Sequence, residues 1–256
     1  MKKYLLLAAV GTGIIGLLAF DQQGEHQKAS LFPGASLSQS PQVLVFSKTA
    51  GYRHKSIEKG VATLKEMGAT HNFEVAHTED SLAFATGNLK KYQLIIFLST
   101  TMDVLGTEQE EAFKNYINGG GAYLGIHAAA DTEYDWPWYG KLCGAWFKSH
   151  PKQQEARMVI LDPDFPATTH LGAEWRHFDE WYNYKEISPD LKVLMKLDES
   201  SYEGGENGDN HPIAWYQEFD GGRAFYTGLG HTEEAYDDPK FRQHLLGGIS
   251  WCLGRE

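Results

Sequence analysis

Residues 94–98 read Leu-Ile-Ile-Phe-Leu, and this run constrains the fold more than any other part of the chain. A strand with no polar residue cannot turn either face to water, so it must lie inside a sheet covered on both sides. Three more short apolar runs, at 41–46, 73–77 and 122–126, read as strands. Between them the apolar spacing changes to that of helices. Ile57, Val61 and Leu64 recur within 55–67, and Gly68 should end that helix. Thr107, with Glu110 three residues on, has capping-box spacing and opens a helix that should stop at Gly119-Gly120-Gly121. This alternation predicts a doubly wound, parallel α/β sheet. The second half differs. Strands are expected there at 154–161, 191–197, 213–219 and 223–227, followed by a closing helix at 239–253. Asp220-Gly221-Gly222 signals a hairpin between the last two strands. The expected fold class is therefore α/β: a doubly wound, mostly parallel sheet with antiparallel strands added in the second half. Residues 41–256 are expected to form one domain without internal repeats.

The 256 residues, 42% of them hydrophobic, suffice for one large core. A formal net charge of -11, with no cluster of Lys and Arg, argues against a nucleic-acid partner. Met1-Lys2-Lys3 and the uncharged run 4–20 read as a secretory signal over residues 1–20, which predicts export to the periplasm or medium. Phe20 and Asp21 make a poor cleavage site, so an N-terminal membrane anchor is the alternative. A helix over that run would span about 25 Å, marginal for a hydrocarbon core of about 30 Å. Residues 21–40, rich in Gln, Ser, Gly and Ala, read as a flexible spacer. Two cysteines, Cys143 and Cys252, sit in segments that read as helical and apolar. They are expected to be buried thiols, because one distant pair is no disulfide framework.

Ligands in open α/β sheets bind beyond the carboxyl ends of the strands. Those positions hold Tyr52, Arg53 and His54 after the first strand, and Thr100, Thr101 and Asp103 after the third. His127 and Asp131 follow the fourth, and Gly230, His231 and Glu233 the last. Far apart in sequence, these residues should converge on one edge. The sharpest case is 122–132, where an apolar strand ends at His127 and small residues Ala128-Ala129-Ala130 follow. This has the shape of a nucleophile elbow, but the elbow holds histidine, with no Ser or Cys to attack. A histidine that only caps a helix start is the competing explanation. The His231-Thr232-Glu233 segment is similar to the His-Pro-Glu of class I glutamine amidotransferases.

Aromatic residues crowd the middle of the chain. Trp146 and Trp175 read as core. Trp136 and Trp138, in a polar loop with Pro137, are balanced between packing and a pocket wall. Flat rings beside acids suit sugars, whose C–H faces stack on them.

Several of these segments together resemble the ThuA-like, or trehalose-utilisation, family over about residues 42–254. They are Thr49-Ala50-Gly51-Tyr52-Arg53-His54-Lys55-Ser56-Ile57, the Gly-rich strand into His127-Ala128-Ala129-Ala130-Asp131-Thr132, Gly144-Ala145-Trp146-Phe147 with His150-Pro151, Asp179-Glu180, His211-Pro212, and 222–227 with Gly230-His231. The resemblance implies a class I glutamine amidotransferase-like, flavodoxin-like fold without the amidotransferase cysteine. It also implies a link to disaccharide catabolism through 3-keto-glycosides.

A ketone at C3 of a sugar acidifies the neighbouring C–H, so a base can start elimination of the glycosidic oxygen. Histidine suits the base and a carboxylic acid the leaving-group proton. The candidate bases are His127, His54 and His231, and the candidate acids Asp131 and Glu180. Arg53 would bind an enolate oxygen. Tyr52, Thr100, Trp136, Trp138, His150, His211 and Trp215 complete the expected sugar site. The cofactor question stays open. His54, His127, His150, His211 and His231, with Asp131 and Glu180, include enough N and O donors for a divalent metal such as Zn²⁺, but no motif spacing specifies one. The alternative of another class is a non-catalytic sugar-binding module on an amidotransferase-like fold. A thiol-dependent amidotransferase is close to excluded, because Cys143 does not follow a strand.

Overall fold

The computed structural model describes residues 40–255. The signal or anchor assigned to residues 1–20 and nearly all of the spacer lie outside the described residues. The first half alternates as the apolar runs require: β1 (Gln42–Phe46), α1 (Ile57–His71), β2 (Glu74–Thr78), a short helix α2 (Thr86–Leu89), β3 (Leu94–Leu98), α3 (Thr107–Asn118) and β4 (Ala122–Ile126). All five residues of β3 are buried. After α4 (Pro137–Cys143) come β5 (Trp146–Ser149), β6 (Gln154–Ile160), β7 (Glu174–Asp179), β8 (Asn183–Lys185), β9 (Lys192–Asp198), β10 (Pro212–Phe219), β11 (Gly222–Thr227) and α5 (Pro239–Cys252). Strands β5, β7 and β8 were not expected. They are short or carry charged residues on an exposed face, so their apolar signal is weak.

Nine strands make one sheet in the order β2-β1-β3-β4-β11-β10-β9-β6-β7, and β5 pairs with β8 alone. Strands β2 to β11 in that order run parallel, and the rest alternate. Asp220 and Gly221 join β10 to β11 with φ of 51° and 92°, the left-handed pair that a two-residue hairpin turn requires.

Two helix boundaries differ from expectation. Helix α1 passes through Gly68 and ends at Asn72, whose φ is 57° and whose N–H donates to the Gly68 carbonyl. Gly68 is there for closeness, since a Cβ would lie 2.6 Å from the Phe73 carbonyl oxygen. Helix α3 is capped one residue earlier than expected, at Gly106, whose N–H donates to Gln109 Oε1 at 3.1 Å. Both cysteines are buried and free.

The alternation of β10, β9 and β6 leaves β7 pointing the same way as β4 and β11. Its carboxyl end therefore lies on the functional edge. In a flat sheet β7 would stand about 19 Å from β11, at about 4.8 Å per strand. Yet Asp179, at the end of β7, accepts hydrogen bonds from the Gly230 and His231 N–H groups at 2.7 and 3.1 Å. Register breaks in β10 between Pro212 and Trp215 mark the irregularity that bends strands. That bend and the reach of the β11 exit loop close the gap.

Candidate active site

Strand β4 delivers His127 at a backbone φ of 51°. The left-handed region costs a non-glycine residue about 1–2 kcal/mol, a strain that surrounding contacts must hold. Here Tyr226 Oη donates to the His127 carbonyl at 2.7 Å. The elbow inferred from sequence is therefore a strained turn with an imidazole at its tip. Its Nδ1 lies 3.0 Å from the Gly228 carbonyl. A carbonyl only accepts, so Nδ1 carries a proton, and in the neutral ring Nε2 presents a lone pair.

His231 follows β11, where Gly230 turns the chain with φ of 105°. Its Nδ1 lies 3.1 Å from His127 Nε2 and 3.0 Å from Glu180 Oε2. His127 Nε2 is 3.5 Å from the same carboxylate oxygen. Gln153 Nε2 lies 2.6 Å from His231 Nε2 and donates to it. His54, on the loop after β1, sets its ring centroid 4.8 Å from that of His127 and 5.0 Å from that of His231. Ser56 fixes the His54 loop by donating to the Gly230 carbonyl at 3.0 Å. His150 Nδ1 approaches Glu180 Oε1 at 3.2 Å from the rim.

Electrostatics follow from burial. His54 is only 3% exposed, and burial, then the neighbouring histidines, push its pKa down to about 2, so it is neutral. Burial alone would raise Glu180. Hydrogen bonds and charge from His127 and His231 outweigh that and hold the carboxylate below its ordinary range. Burial raises Asp131, against a lowering hydrogen bond from Tyr134. A cleft of about 460 Å³ opens over these groups, lined by Tyr52, His54, Asp131, Phe147, His150, Gln153, Glu180, Tyr182 and His231. That volume falls within the range of small-molecule sites. A cleft of about 570 Å³ around Gly119, Gly120, Gly121 and Arg223 lies at the opposite strand ends and gathers no acid or histidine.

The structure thus brings His54, His127, His231, Glu180, Asp131, His150 and Tyr52 together, and it sends the other candidates elsewhere. Arg53 turns outward to Glu58 and Glu79 at 2.7 and 2.8 Å. Thr100 is buried, bonding Thr132 at 2.8 Å across the β3 and β4 exits. Trp136 and Trp138 stack on each other at 4.9 Å and cover Phe113 of α3. Trp138 Nε1 donates to Asp220 at 2.7 Å. Packing, not a sugar wall, is their place. Trp215 is core, stacked on Tyr226 at 4.4 Å, and its Nε1 donates to the Cys143 carbonyl. His211 is buried between Glu199 and the Tyr182 carbonyl at 2.7 and 2.8 Å. Cys143 is buried, its thiol pushed up to about 12 by that burial, and its sulfur faces the Ala129 carbonyl at 3.9 Å behind the elbow rather than lining the cleft.

Three cleft residues escaped the sequence reading. Tyr182 lies tilted with its ring centroid 4.3 Å from that of His127, and Phe147 lies 4.3 Å from Tyr182. Phe147 ends a motif that the reading used for other residues, and Tyr182 lies two residues beyond Asp179-Glu180. Gln153 carries no sequence signal; only the curl of β6 brings it to His231.

The model of the ThuA family, described as trehalose utilisation, matches residues 42–252. A ThuA-like protein from Bacteroides uniformis superposes with a TM-score of 0.71 at 22% identity, over 86% of this chain and 94% of that one. One from Parabacteroides merdae gives 0.68 at 20% identity, over 84% and 90%. A GMP synthase-type protein from Thermoplasma acidophilum gives 0.54 at 11% identity, over 84% and 95%, which relates the fold to the glutamine amidotransferases. No curated protein matches the sequence. With nearly all of its described residues matched, and an amidotransferase-like elbow that holds His127 where thiol chemistry would need cysteine, the chain belongs to the ThuA, trehalose-utilisation family.

Proposed function

We propose that this protein is an exported, carbohydrate-processing enzyme acting on 3-keto-glycosides or related disaccharide derivatives, with the His54, His127, His231 and Glu180 cleft as its reaction centre. The family's link to trehalose utilisation supports the substrate class. One observation carries the reading: three imidazoles and a carboxylate from four separate strand ends meet in one cleft. Convergence of that kind demands buried polar groups and a strained elbow, which packing alone does not favour.

In this reading the ketone acidifies the adjacent C–H, and an imidazole of the cleft takes that proton. The electron pair forms the enolate, and the glycosidic oxygen then leaves. Asp131, on the wall of the cleft, is the carboxyl group placed to deliver the proton that the departing oxygen needs. Tyr182 and Phe147 offer aromatic faces to the sugar ring. The test is turnover of a 3-keto-glucoside by the mature protein, read as release of the aglycone. Wild-type protein should turn over, and His127→Ala should lose at least about 100-fold in kcat with its melting temperature nearly kept. Tight binding of the keto-sugar without turnover would replace this reading by that of a sugar-binding module.

A further inference from the structure

We infer that His54, His127, His231 and Glu180 form a binding site for one divalent transition-metal ion of the Zn²⁺ type. The inference deepens the proposed function by naming a cofactor for the same cleft, in which His150 at the rim would then be the imidazole left to take the sugar's proton, and it stands on the donor geometry alone.

One ligand atom from each of the four residues lies within 4.8 Å of the other three. Tetrahedral zinc, with bonds of about 2.0–2.1 Å, sets its ligand atoms about 3.3 Å apart. The separations among His127 Nε2, His231 Nδ1 and Glu180 Oε2 are 3.1, 3.0 and 3.5 Å, close to the edges of such a polyhedron. Three nitrogens and one oxygen are a donor set for zinc and its neighbours in the first transition row, whereas magnesium and calcium take oxygen.

The surrounding groups are those that orient metal ligands. The His127 Nδ1–H donates to the Gly228 carbonyl, so its Nε2 lone pair is aimed inward. His150 Nδ1, which donates to the Pro151 carbonyl, stands 3.2 Å from the outer oxygen of Glu180, while Oε2 faces the cluster. Asp179 fixes the backbone of His231 through its N–H. The buried His54 Nδ1 has no hydrogen-bond partner. A ligated ion would offset the cost of leaving a buried ring nitrogen unpaired in the cluster.

One contact must change on binding. Gln153 now donates to His231 Nε2, which leaves the proton on Nδ1. Ligation through Nδ1 requires the proton on Nε2, and Gln153 then accepts it through Oε1 after its amide turns over. Gln153 is therefore a positioning residue for the ion.

The test needs no sugar. The full-length protein is stripped with a chelator and titrated with Zn²⁺ against a chromogenic competitor, and with Co²⁺ while its visible spectrum is recorded. The expected result is one ion per chain and Co²⁺ bands of a low-coordinate N/O site. Binding should weaken at least about 100-fold in His54→Ala, His127→Ala and Glu180→Gln, and about 10-fold in Gln153→Ala. Stoichiometric binding that survives both His54→Ala and His127→Ala overturns the site. So does an octahedral Co²⁺ spectrum unchanged by Glu180→Gln. The Co²⁺ spectrum of wild-type protein decides the matter even if a variant fails to fold. Keto-glycoside turnover at full rate by chelated protein would sink the metal and keep the enzyme. Zn²⁺ binding without turnover would do the reverse.

Discussion

His211 and His54 are both buried histidines near a carboxylate, yet their environments are opposites. His211 has each ring nitrogen committed, Nδ1 to Glu199 and Nε2 to the Tyr182 carbonyl. Glu199 in turn accepts the Asn207 and Gly208 N–H groups at 2.8 and 2.9 Å. That nook is closed: every polar group has a protein partner, as buried groups in a stable interior do. The His54 nook is open. Its imidazole keeps a buried nitrogen without partner, and its neighbours share one carboxylate and face a cleft. Tyr182 stands between the two regions, its carbonyl serving His211 and its ring packed at a tilt against His127. His211 spends both ring nitrogens on the protein, whereas His54 keeps one without a partner.

This contrast can be broken by substitution. The largest effect should come from His231→Ala, with a loss of about 1,000-fold in kcat for keto-glycoside turnover, in the range of a lost acid–base group, and little change in urea midpoint. A stability loss with activity kept would make the cleft a structural cluster. His211→Ala should do the opposite, costing about 2–4 kcal/mol in urea unfolding by leaving buried groups unpaired, with kcat within about 3-fold at a temperature where it is folded. A fall in kcat as deep as that of His231→Ala would erase the distinction.

A pH experiment sharpens the closed type further with His244, which is buried on α5 between the Ala167 carbonyl and Thr227 at 2.8 and 3.1 Å. Burial lowers its pKa to about 4, although its bond to Ala167 pulls the other way. The folded pKa lies below the ordinary value of about 6.5, so the unfolded chain takes up the proton first. The contribution of His244 to stability is whole above pH 6.5 and is lost as pH falls toward 4, by about 3 kcal/mol in all. Chemical denaturation of wild-type protein from pH 7 to 4.5 should show that slope added to the one buried His54 contributes, and His244→Gln should make it shallower. An equal slope in both would assign the acid sensitivity to other groups.

The smallest effect belongs to the aromatic face on α3. Trp138→Phe loses one hydrogen bond to Asp220 at a half-buried site. It should cost at most about 1 kcal/mol and leave sugar affinity unmoved. A calorimetric loss of keto-sugar binding in this variant would return Trp138 to the sugar site.

Much of the parallel half could be read directly from residue order. The apolar runs and helical spacings are local signals, and the topological rule for such sheets sends strand-end residues to one edge. His54, His127 and His231 therefore met as the sequence implied. The aromatic candidates failed for a physical reason: tryptophan is amphipathic, and a polar loop does not reveal which neighbour its ring will cover. Trp136 and Trp138 cover α3, while Tyr182 and Phe147 face the cleft.

The sequence by itself determined the parallel core, the elbow with histidine in place of a thiol, and the edge at which the histidines gather, because each depends on neighbours within one strand or turn. Only the tertiary structure decided that Glu180 and Gln153 join them while His211 and Arg53 do not. Those choices depend on how far the antiparallel half curls, through irregular pairing in β10 and the bond from Asp179 to the His231 loop. That curvature is a property of the assembled sheet, and no single segment of the chain encodes it.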